Sequence, residues 1–429
     1  MEEYTAVAFC AIGAERAVSN ELKKISASGS EHISNAAQKK QLLYTVTESN
    51  FGRVRFKTKP EGLYRALFSL RAADRLLLEV GSFPADNFDS LFEATSLIPF
   101  EDFIPRGMGL KVSKVRSSAS QLKAETSIQA VVHKASAQRL CNHYGIRRLP
   151  DVQDNGKQAE LRVFIEKNKV SVLLDLSGEP LFKRGYRPAG GIAPLRESTA
   201  AAIILLSGWR RKFPLYDPFC GSGTIIIEAA LYAWDQAPGL GRRFAISDLA
   251  IADKTAEENI RKELTEKIDY SRPICIMGSD ADEKAITLAK ANLKRALSLA
   301  GGKSRPCRSP AEGSGQDAVT ANKIMGIELA CLPMKAFDPE VHANAASSAS
   351  DIPGFIITNP PYGIRLGEIE EAEALYAKMA DFCTSLPGWK LALICNHKGF
   401  ESHFGKKASS CRELKSGAVD TWLYQYDKL

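Results

Sequence analysis

Residues 213–230 read FPLYDPFCGSGTIIIEAA, and no other stretch restricts the fold of this chain as strongly. The apolar run Phe213–Tyr216 suits a strand end, Gly221 and Gly223 suit a tight turn, and Ile225–Ala230 suit a buried helix. A strand, glycine loop and helix in this order form a ligand cradle. The glycines permit positive φ and close approach of a ligand to the backbone, and the first helical turn offers N–H groups that the helix itself leaves unsatisfied. Spacing excludes two common cradles. A P-loop needs Lys and then Ser or Thr after its last glycine, whereas Gly223 precedes Thr224 and Ile225. The dinucleotide fingerprint needs glycine or alanine where Ile226 stands.

With 429 residues the chain exceeds what one core usually holds, so two or three domains are expected. A content of 45% hydrophobic and 25% charged residues is ordinary for a soluble globular protein. The net charge of +7 fits a nucleic-acid partner without requiring one. No apolar run is long enough for a bilayer, and the opening MEEYTAVAFC is acidic where a signal peptide is basic, so a cytoplasmic protein without membrane contact is expected. Nine cysteines without a CxxC pair argue against a disulfide framework and against zinc. The six histidines also lack ligand spacing; His397 and His403 read as loop residues, and no metal is expected.

From the start of the chain, residues 4–12 alternate as a strand, 13–24 form an amphipathic helix, and 42–47 and 52–57 are strands. A helix over 60–67 leads to the basic, then strand-like segment 70–80. Strands over 109–115, 159–166 and 169–175 follow, in a region dense in cations that includes Lys111, Lys114, Arg116, Lys123, Lys134 and Arg139. Any one of these is better explained by a solvated face; only together do they suit RNA phosphates. This order of elements resembles a small ferredoxin-like module (1–68) joined to a THUMP domain (69–182), an RNA-binding fold attached to many RNA-modifying enzymes.

The text from Asp175, DLSGEPLFKRGYRPAGGIAPLRE, marks a domain boundary. A strand end gives way to the basic aromatic turn Lys183-Arg184-Gly185-Tyr186-Arg187, a Pro/Gly linker, and a long apolar helix over 193–209 entered through Pro194. Lys111, Lys114, Arg116, Lys134, Lys183, Arg184 and Arg187 are the candidate RNA contacts. Beyond the glycine loop, 234–245 is expected on the substrate side and the charged helix 254–267 in solvent. The strand over 273–277 ends in Gly278-Ser279-Asp280-Ala281-Asp282. A carboxylate at the end of the second strand of a Rossmann-like unit can accept both ribose hydroxyls, which assigns Asp280 to the ribose. Asp282 is assigned to the cap of the following helix, although either aspartate suits a cap. Residues 301–321 have little to bury and read as a surface insertion. The strand over 327–332 runs into Pro333-Met334, an apolar strand end with no acidic residue.

A buried strand over 354–358 ends in Asn359-Pro360-Pro361-Tyr362-Gly363. An exocyclic amine of a base is a poor nucleophile because its lone pair is delocalised into the ring. The side-chain oxygen of Asn359 and the carbonyl of Pro360 can each accept one N–H of such an amine and localise that lone pair. The prolines stiffen the turn, and Tyr362 offers a ring on which the base can stack. Arg365 suits a phosphate or a plain surface position equally.

DPFCGSGT followed by IEAA, GSDAD and NPPY resembles the motif series of S-adenosylmethionine-dependent methyltransferases that modify amino groups of nucleic-acid bases. RGYR and APLRE narrow the resemblance to bacterial RNA guanine-N2-methyltransferases that carry a THUMP domain, over nearly the whole chain apart from 301–321. It implies an α/β fold: a Rossmann-like class I methyltransferase domain (187–429) preceded by the α+β ferredoxin-like module and the THUMP domain. It also implies S-adenosylmethionine as cofactor, held by Asp217, Phe219, Gly221, Ser222, Gly223, Thr224, Asp280, Ala281, Met334 and Asn359. Catalysis falls to Asn359, Pro360 and Tyr362, the substrate is RNA, 23S ribosomal RNA ahead of tRNA, and the protein is expected to be a monomer. Two rivals remain: a DNA adenine or cytosine amino-methyltransferase, and a non-catalytic RNA-binding assembly factor.

Overall fold

Alternation along Tyr4–Cys10 sends Ala6 and Ala8 into the main core and Val7 to the opposite face of its sheet, where it packs with Leu77 and Leu173. The computed structural model describes residues 3–29, 43–151, 156–187, 195–299, 323–338, 354–362, 368–415 and 420–429. The insertion 301–321, the linker 188–194, Gly363 and Arg365 lie outside them.

The first half runs β1 (Tyr4–Cys10), α1 (Glu15–Gly29), β2 (Tyr44–Asn50), β3 (Arg53–Thr58), α2 (Pro60–Ser69), β4 (Ala73–Pro84), α3 (Phe88–Ser96), β5 (Gly109–Ser118), α4 (Glu125–Tyr144), β6 (Gln158–Glu166) and β7 (Lys169–Asp175). Its strands form one seven-stranded sheet in the order β2-β3-β1-β4-β7-β6-β5. The expected division at 68/69 falls at the last residue of α2, four residues before β4 begins. There β4 pairs with β1 on one side and with β7 on the other, so strands of the two expected modules share a single sheet.

The second half runs α5 (Glu197–Leu206), β8 (Leu215–Asp217), α6 (Thr224–Ala233), α7 (Lys254–Glu266), β9 (Ile276–Asp280), α8 (Glu283–Ser298), β10 (Lys323–Ile324), β11 (Ile327–Cys331), β12 (Phe355–Thr358), α9 (Glu368–Thr384), β13 (Lys390–Cys395), α10 (Phe400–Phe404), β14 (Ser410–Glu413) and β15 (Trp422–Tyr426). The eight strands order as β10-β11-β9-β8-β12-β13-β15-β14, with β11, β9, β8, β12 and β13 parallel. Strands β8 and β12 are buried along their whole length, and α6 is buried on nearly every side, which is why both read as unbroken apolar runs.

The two sheets are locked together by a polar network inside the main core. Glu21 on α1 accepts from the backbone N–H groups of Arg71 (2.9 Å) and Ala72 (3.0 Å), and Arg71 donates to the carbonyls of Gln236 (2.7 Å) and Leu231 (3.3 Å). Arg184, expected at the RNA surface, belongs to this network instead. It is 3% exposed, its fork donates to the carbonyls of Leu181 and Arg71, and its Nε lies 3.6 Å from Glu228. No part of it is left for a phosphate. Much of 234–245, expected on the substrate side, packs inward, while Gly241 and Arg243 stay exposed. Gly239 donates to Phe68 (2.9 Å), and a Cβ there would sit 2.7 Å from the Phe68 backbone. Helix α7 is not wholly solvent-facing: Ile260 is buried, and Glu263 takes two bonds from Arg65 on α2 (2.9 and 2.5 Å).

Candidate active site

Strand order runs outward from β8 in two directions, to β9 and β11 on one side and to β12 and β13 on the other. A crevice therefore opens at the carboxyl ends of β8 and β12, where open α/β sheets bind ligands. Every candidate cofactor and catalytic residue follows one of these strand ends: Asp217–Thr224 after β8, Asp280 and Ala281 at β9, Met334 after β11, and Asn359–Tyr362 after β12.

The glycine loop is shaped by its backbone. Gly221 has φ +50° and Gly223 φ +81°, and a Cβ on Gly223 would also meet Ala289 of α8 at 3.0 Å. Two bonds fasten the loop to the end of β9: Cys220 N–H to Ser279 O (2.9 Å) and Gly221 N–H to Asp280 Oδ2 (3.0 Å). Asn292 on α8 donates to Ser222 O (2.9 Å), and Arg295 holds Asn292 by donating to its Oδ1 (2.6 Å). Arg187, the second basic residue of the 183–187 turn to depart from the surface, pairs with Glu197 and reaches the Thr224 hydroxyl (3.4 Å).

Asp280 uses one oxygen on Gly221 and the other on the N–H of Asp282 (3.0 Å). Each carboxylate oxygen has two lone pairs, so both retain capacity for a ribose hydroxyl. Asp282 caps α8 by accepting from Lys284 N–H (2.9 Å). Asp217 is 1% exposed, and its Oδ1 accepts from Thr358 Oγ1 (2.6 Å) and Phe219 N–H (3.1 Å), which ties β8 to β12. Burial pushes its carboxyl up to about 7, against the pull of those two bonds.

Across the crevice, Pro360 is buried and Asn359 and Tyr362 are half-buried. The Tyr362 hydroxyl donates to Asn359 Oδ1, and Tyr376 of α9 donates to Pro361 O (2.9 Å), so both ends of the turn are held. Burial keeps both phenols far above their usual range and hence protonated donors. Phe219, Leu332 and Tyr362 pack on the second core cluster, which includes Met334, Phe337 and Tyr216. Ala281 is exposed beside this apolar rim. Thr358, Asn292, Arg295 and Tyr376 were not legible as site residues, because their partners are fixed only by packing between elements.

Lys111, Lys114 and Arg116 lie exposed on the edge strand β5, and Lys134 is exposed on α4. Lys111 pairs with Glu160 (3.4 Å) and Arg116 with Glu125 (2.8 Å), while partial desolvation of its ammonium and the neighbouring Arg116 and Arg162 push Lys114 below its usual range. Lys183 is exposed and paired with Glu179 (2.9 Å). His397 and His403 converge on Glu373, with Nε2 to Oε1 distances of 3.1 and 3.2 Å. Gly399 N–H donates to His397 Nδ1 (3.2 Å), so the His397 proton sits on Nε2, facing Glu373. A metal on that nitrogen needs the opposite tautomer.

A parallel sheet with a glycine loop after one strand, an acid after the next and an Asn-Pro-Pro-Tyr turn across the switch point is a methyltransferase fold. Residues 184–300 and 340–425 match the UPF0020, RMKL-like methyltransferase domain, and the chain belongs to that family. It is 32% identical to the "Putative RNA methyltransferase YpsC" of Bacillus subtilis (strain 168), over 99% of this chain and 96% of that one. It is 30% identical to the ribosomal RNA large subunit methyltransferase K/L of Syntrophotalea carbinolica over 89% of this chain, but spans only 50% of that relative's length. The crystal structure of SMU.472, "a putative methyltransferase complexed with SAH", superposes with a TM-score of 0.79 at 31% identity, covering 99% of this chain and 98% of the other.

Proposed function

We propose that the protein transfers the methyl group of S-adenosylmethionine to an exocyclic base amine in RNA, the N2 of a guanine in large-subunit ribosomal RNA. The observation that carries this reading is the Asn359-Pro360-Pro361-Tyr362 turn, held by Tyr376 and facing the glycine loop across the Thr358–Asp217 link. In this reading the sulfonium is already activated, and the protein positions it for in-line transfer. Asn359 Oδ1 and the Pro360 carbonyl accept the amine N–H groups, and the Tyr362 hydroxyl orients the Asn359 amide. Asp280 holds the ribose, Gly221–Thr224 the carboxylate-bearing tail, and Met334 with Phe219 the adenine. Lys111, Lys114, Arg116, Lys134 and Lys183 meet RNA phosphates on a THUMP-type module. RNA, and ribosomal RNA ahead of tRNA, is favoured by the names of the full-length relative and of the K/L enzymes. The test is transfer from methyl-labelled S-adenosylmethionine to unmodified RNA and to unmodified DNA. Label that RNase releases supports the reading, label only in DNA replaces it with the DNA rival, and binding of cofactor without transfer to any nucleic acid leaves the assembly-factor rival.

Two expected outcomes follow from the acids. Asp280→Asn places an NH2 group against the N–H of Gly221 or Asp282 and removes a ribose acceptor, and should weaken S-adenosylhomocysteine binding roughly ten- to hundredfold in titration calorimetry. An unchanged affinity would remove Asp280 from the cofactor site. Asp217, at about 7, is largely protonated in the free protein below that pH. A cationic cofactor bound beside it favours the carboxylate, so binding at about pH 6 should expel a proton. Affinity should then rise with pH up to about 7 and level off above it. Calorimetry in two buffers of different ionisation heat reads the proton directly; equal heats in both would place Asp217 away from the cofactor's charge.

A further inference from the structure

We propose that Phe51, at the tip of the β2–β3 hairpin, is a stacking platform for an unpaired base of the RNA substrate several nucleotides from the modified one. The proposal rests on the reading of the chain as an RNA methyltransferase. Asn50 pairs with Arg53, which leaves Phe51 and Gly52 as a two-residue turn with φ of +46° and +73°. Turns of this kind favour Asn-Gly, because asparagine and glycine tolerate positive φ and an aromatic side chain does not. The Phe51 ring is 73% exposed, so it returns little to the core in exchange for that conformation. A strained residue whose side chain the fold does not use points to a use outside the fold.

The tip is also rigid. Glu15 accepts from the N–H of Gly52 (2.6 Å) with one oxygen and from that of Gly13 (2.9 Å) with the other, and Cys10 N–H donates to Gly52 O (2.9 Å). A fixed ring gives up little entropy when a base stacks on it.

Its position suits the substrate of Asn359. Ile12, which touches the turn, exchanges two backbone bonds with Lys415 (3.1 and 2.9 Å), just past the end of β14. Glu413 of β14, Trp422 of β15 and Cys395 of β13 lie level with one another, at the end of the sheet from which Asn359 projects. The tip therefore stands on the catalytic side, five ladder steps from β12, roughly 24 Å at ~4.8 Å per step. Between them lie Lys398, over the Trp422 ring at 5.9 Å, and Lys415, paired with Asp420. Arg16, the sequence neighbour of Glu15, is exposed and has no ion pair among the described residues. Cations along a track with an aromatic ring at its end are what a single-stranded RNA segment requires: phosphates on the charges, a splayed base on the ring.

The experiment uses the full chain, S-adenosylmethionine and unmodified large-subunit ribosomal RNA transcribed in vitro, with Phe51→Ala, Phe51→Asn and Phe51→Trp. Phe51→Ala and Phe51→Asn should each raise KM for the RNA about ten- to hundredfold, with kcat and S-adenosylhomocysteine affinity unchanged. Phe51→Trp should restore KM. Because asparagine accepts the positive φ, Phe51→Asn should melt at the wild-type temperature or about a degree or two higher while binding RNA worse. Wild-type KM in the Ala and Asn variants overturns the proposal, as does a Phe51→Asn protein that melts lower and loses kcat, which marks a structural residue. Wild-type protein that methylates no RNA at all removes the underlying functional reading as well, and is distinguishable by that.

Discussion

Asn359→Ala is expected to lower the methyl-transfer rate roughly 10²–10³-fold while S-adenosylhomocysteine binds within a fewfold of wild type. The estimate is that of removing one preorganised hydrogen-bonding partner of a reacting centre, about 2.7–4 kcal/mol of barrier. The structure sharpens the expectation, because Asn359 Oδ1 already accepts the Tyr362 hydroxyl and so is held in one orientation before substrate arrives. Tyr362→Phe should therefore reproduce a smaller part of the loss, in kcat rather than KM, by freeing the amide to rotate while keeping the ring. Single-turnover kinetics with saturating RNA separate the two variants. An Asn359→Ala enzyme with wild-type kcat would show that the amine is not activated at this turn.

Arg184→Ala is expected to destabilise the protein by about 3–5 kcal/mol, the usual consequence of removing one member of a buried ion pair. Arg184 and Glu228 are both almost wholly enclosed, and the Arg184 fork also serves the Leu181 and Arg71 carbonyls. Arg184→Lys should recover little, since an ammonium cannot reproduce that fork. The loss should depend on pH with a definite sign. Burial raises the Glu228 carboxyl above its ordinary range, opposed by Arg184 and Arg71; without Arg184 it rises further. A group whose folded-state pKa is raised leaves the native protein holding more protons than the unfolded chain, so stability falls as pH climbs above the ordinary glutamate range. The difference in melting temperature between variant and wild type should accordingly be larger at about pH 8 than at about pH 5. Equal melting curves would mean that the buried network does not hold the two sheets together.

These two residues also mark how far the sequence could be read. Asn359 was legible because its chemistry is local: an amide and two prolines at a strand end need no distant partner to be recognised. The same holds for the glycine loop, whose φ values demand glycine, and for Asp282, which caps the helix it precedes. Arg184 was misread because a basic turn looks alike in sequence whether it faces solvent or a buried glutamate 44 positions away, and only packing brings Glu228 to it. The same limit applies to 234–245, whose Gly239 is required by Phe68 on α2 in the first half of the chain, and to His397 and His403, which share Glu373 from a different helix. Strand identity came through well where alternation was regular, as over Gln158–Glu166. The pairing of β4 with both β1 and β7 could not, because the sequence alternates in the same way whichever strands lie alongside.

The most direct measurement of the central claim is the identity of the methylated nucleoside. Wild-type protein is incubated with methyl-labelled S-adenosylmethionine and unmodified large-subunit ribosomal RNA, the RNA is digested to nucleosides, and the labelled one is identified by mass spectrometry. Label in N2-methylguanosine is the predicted result, and label on a ribose oxygen or a ring carbon would contradict an amine-activating role for Asn359 and Pro360.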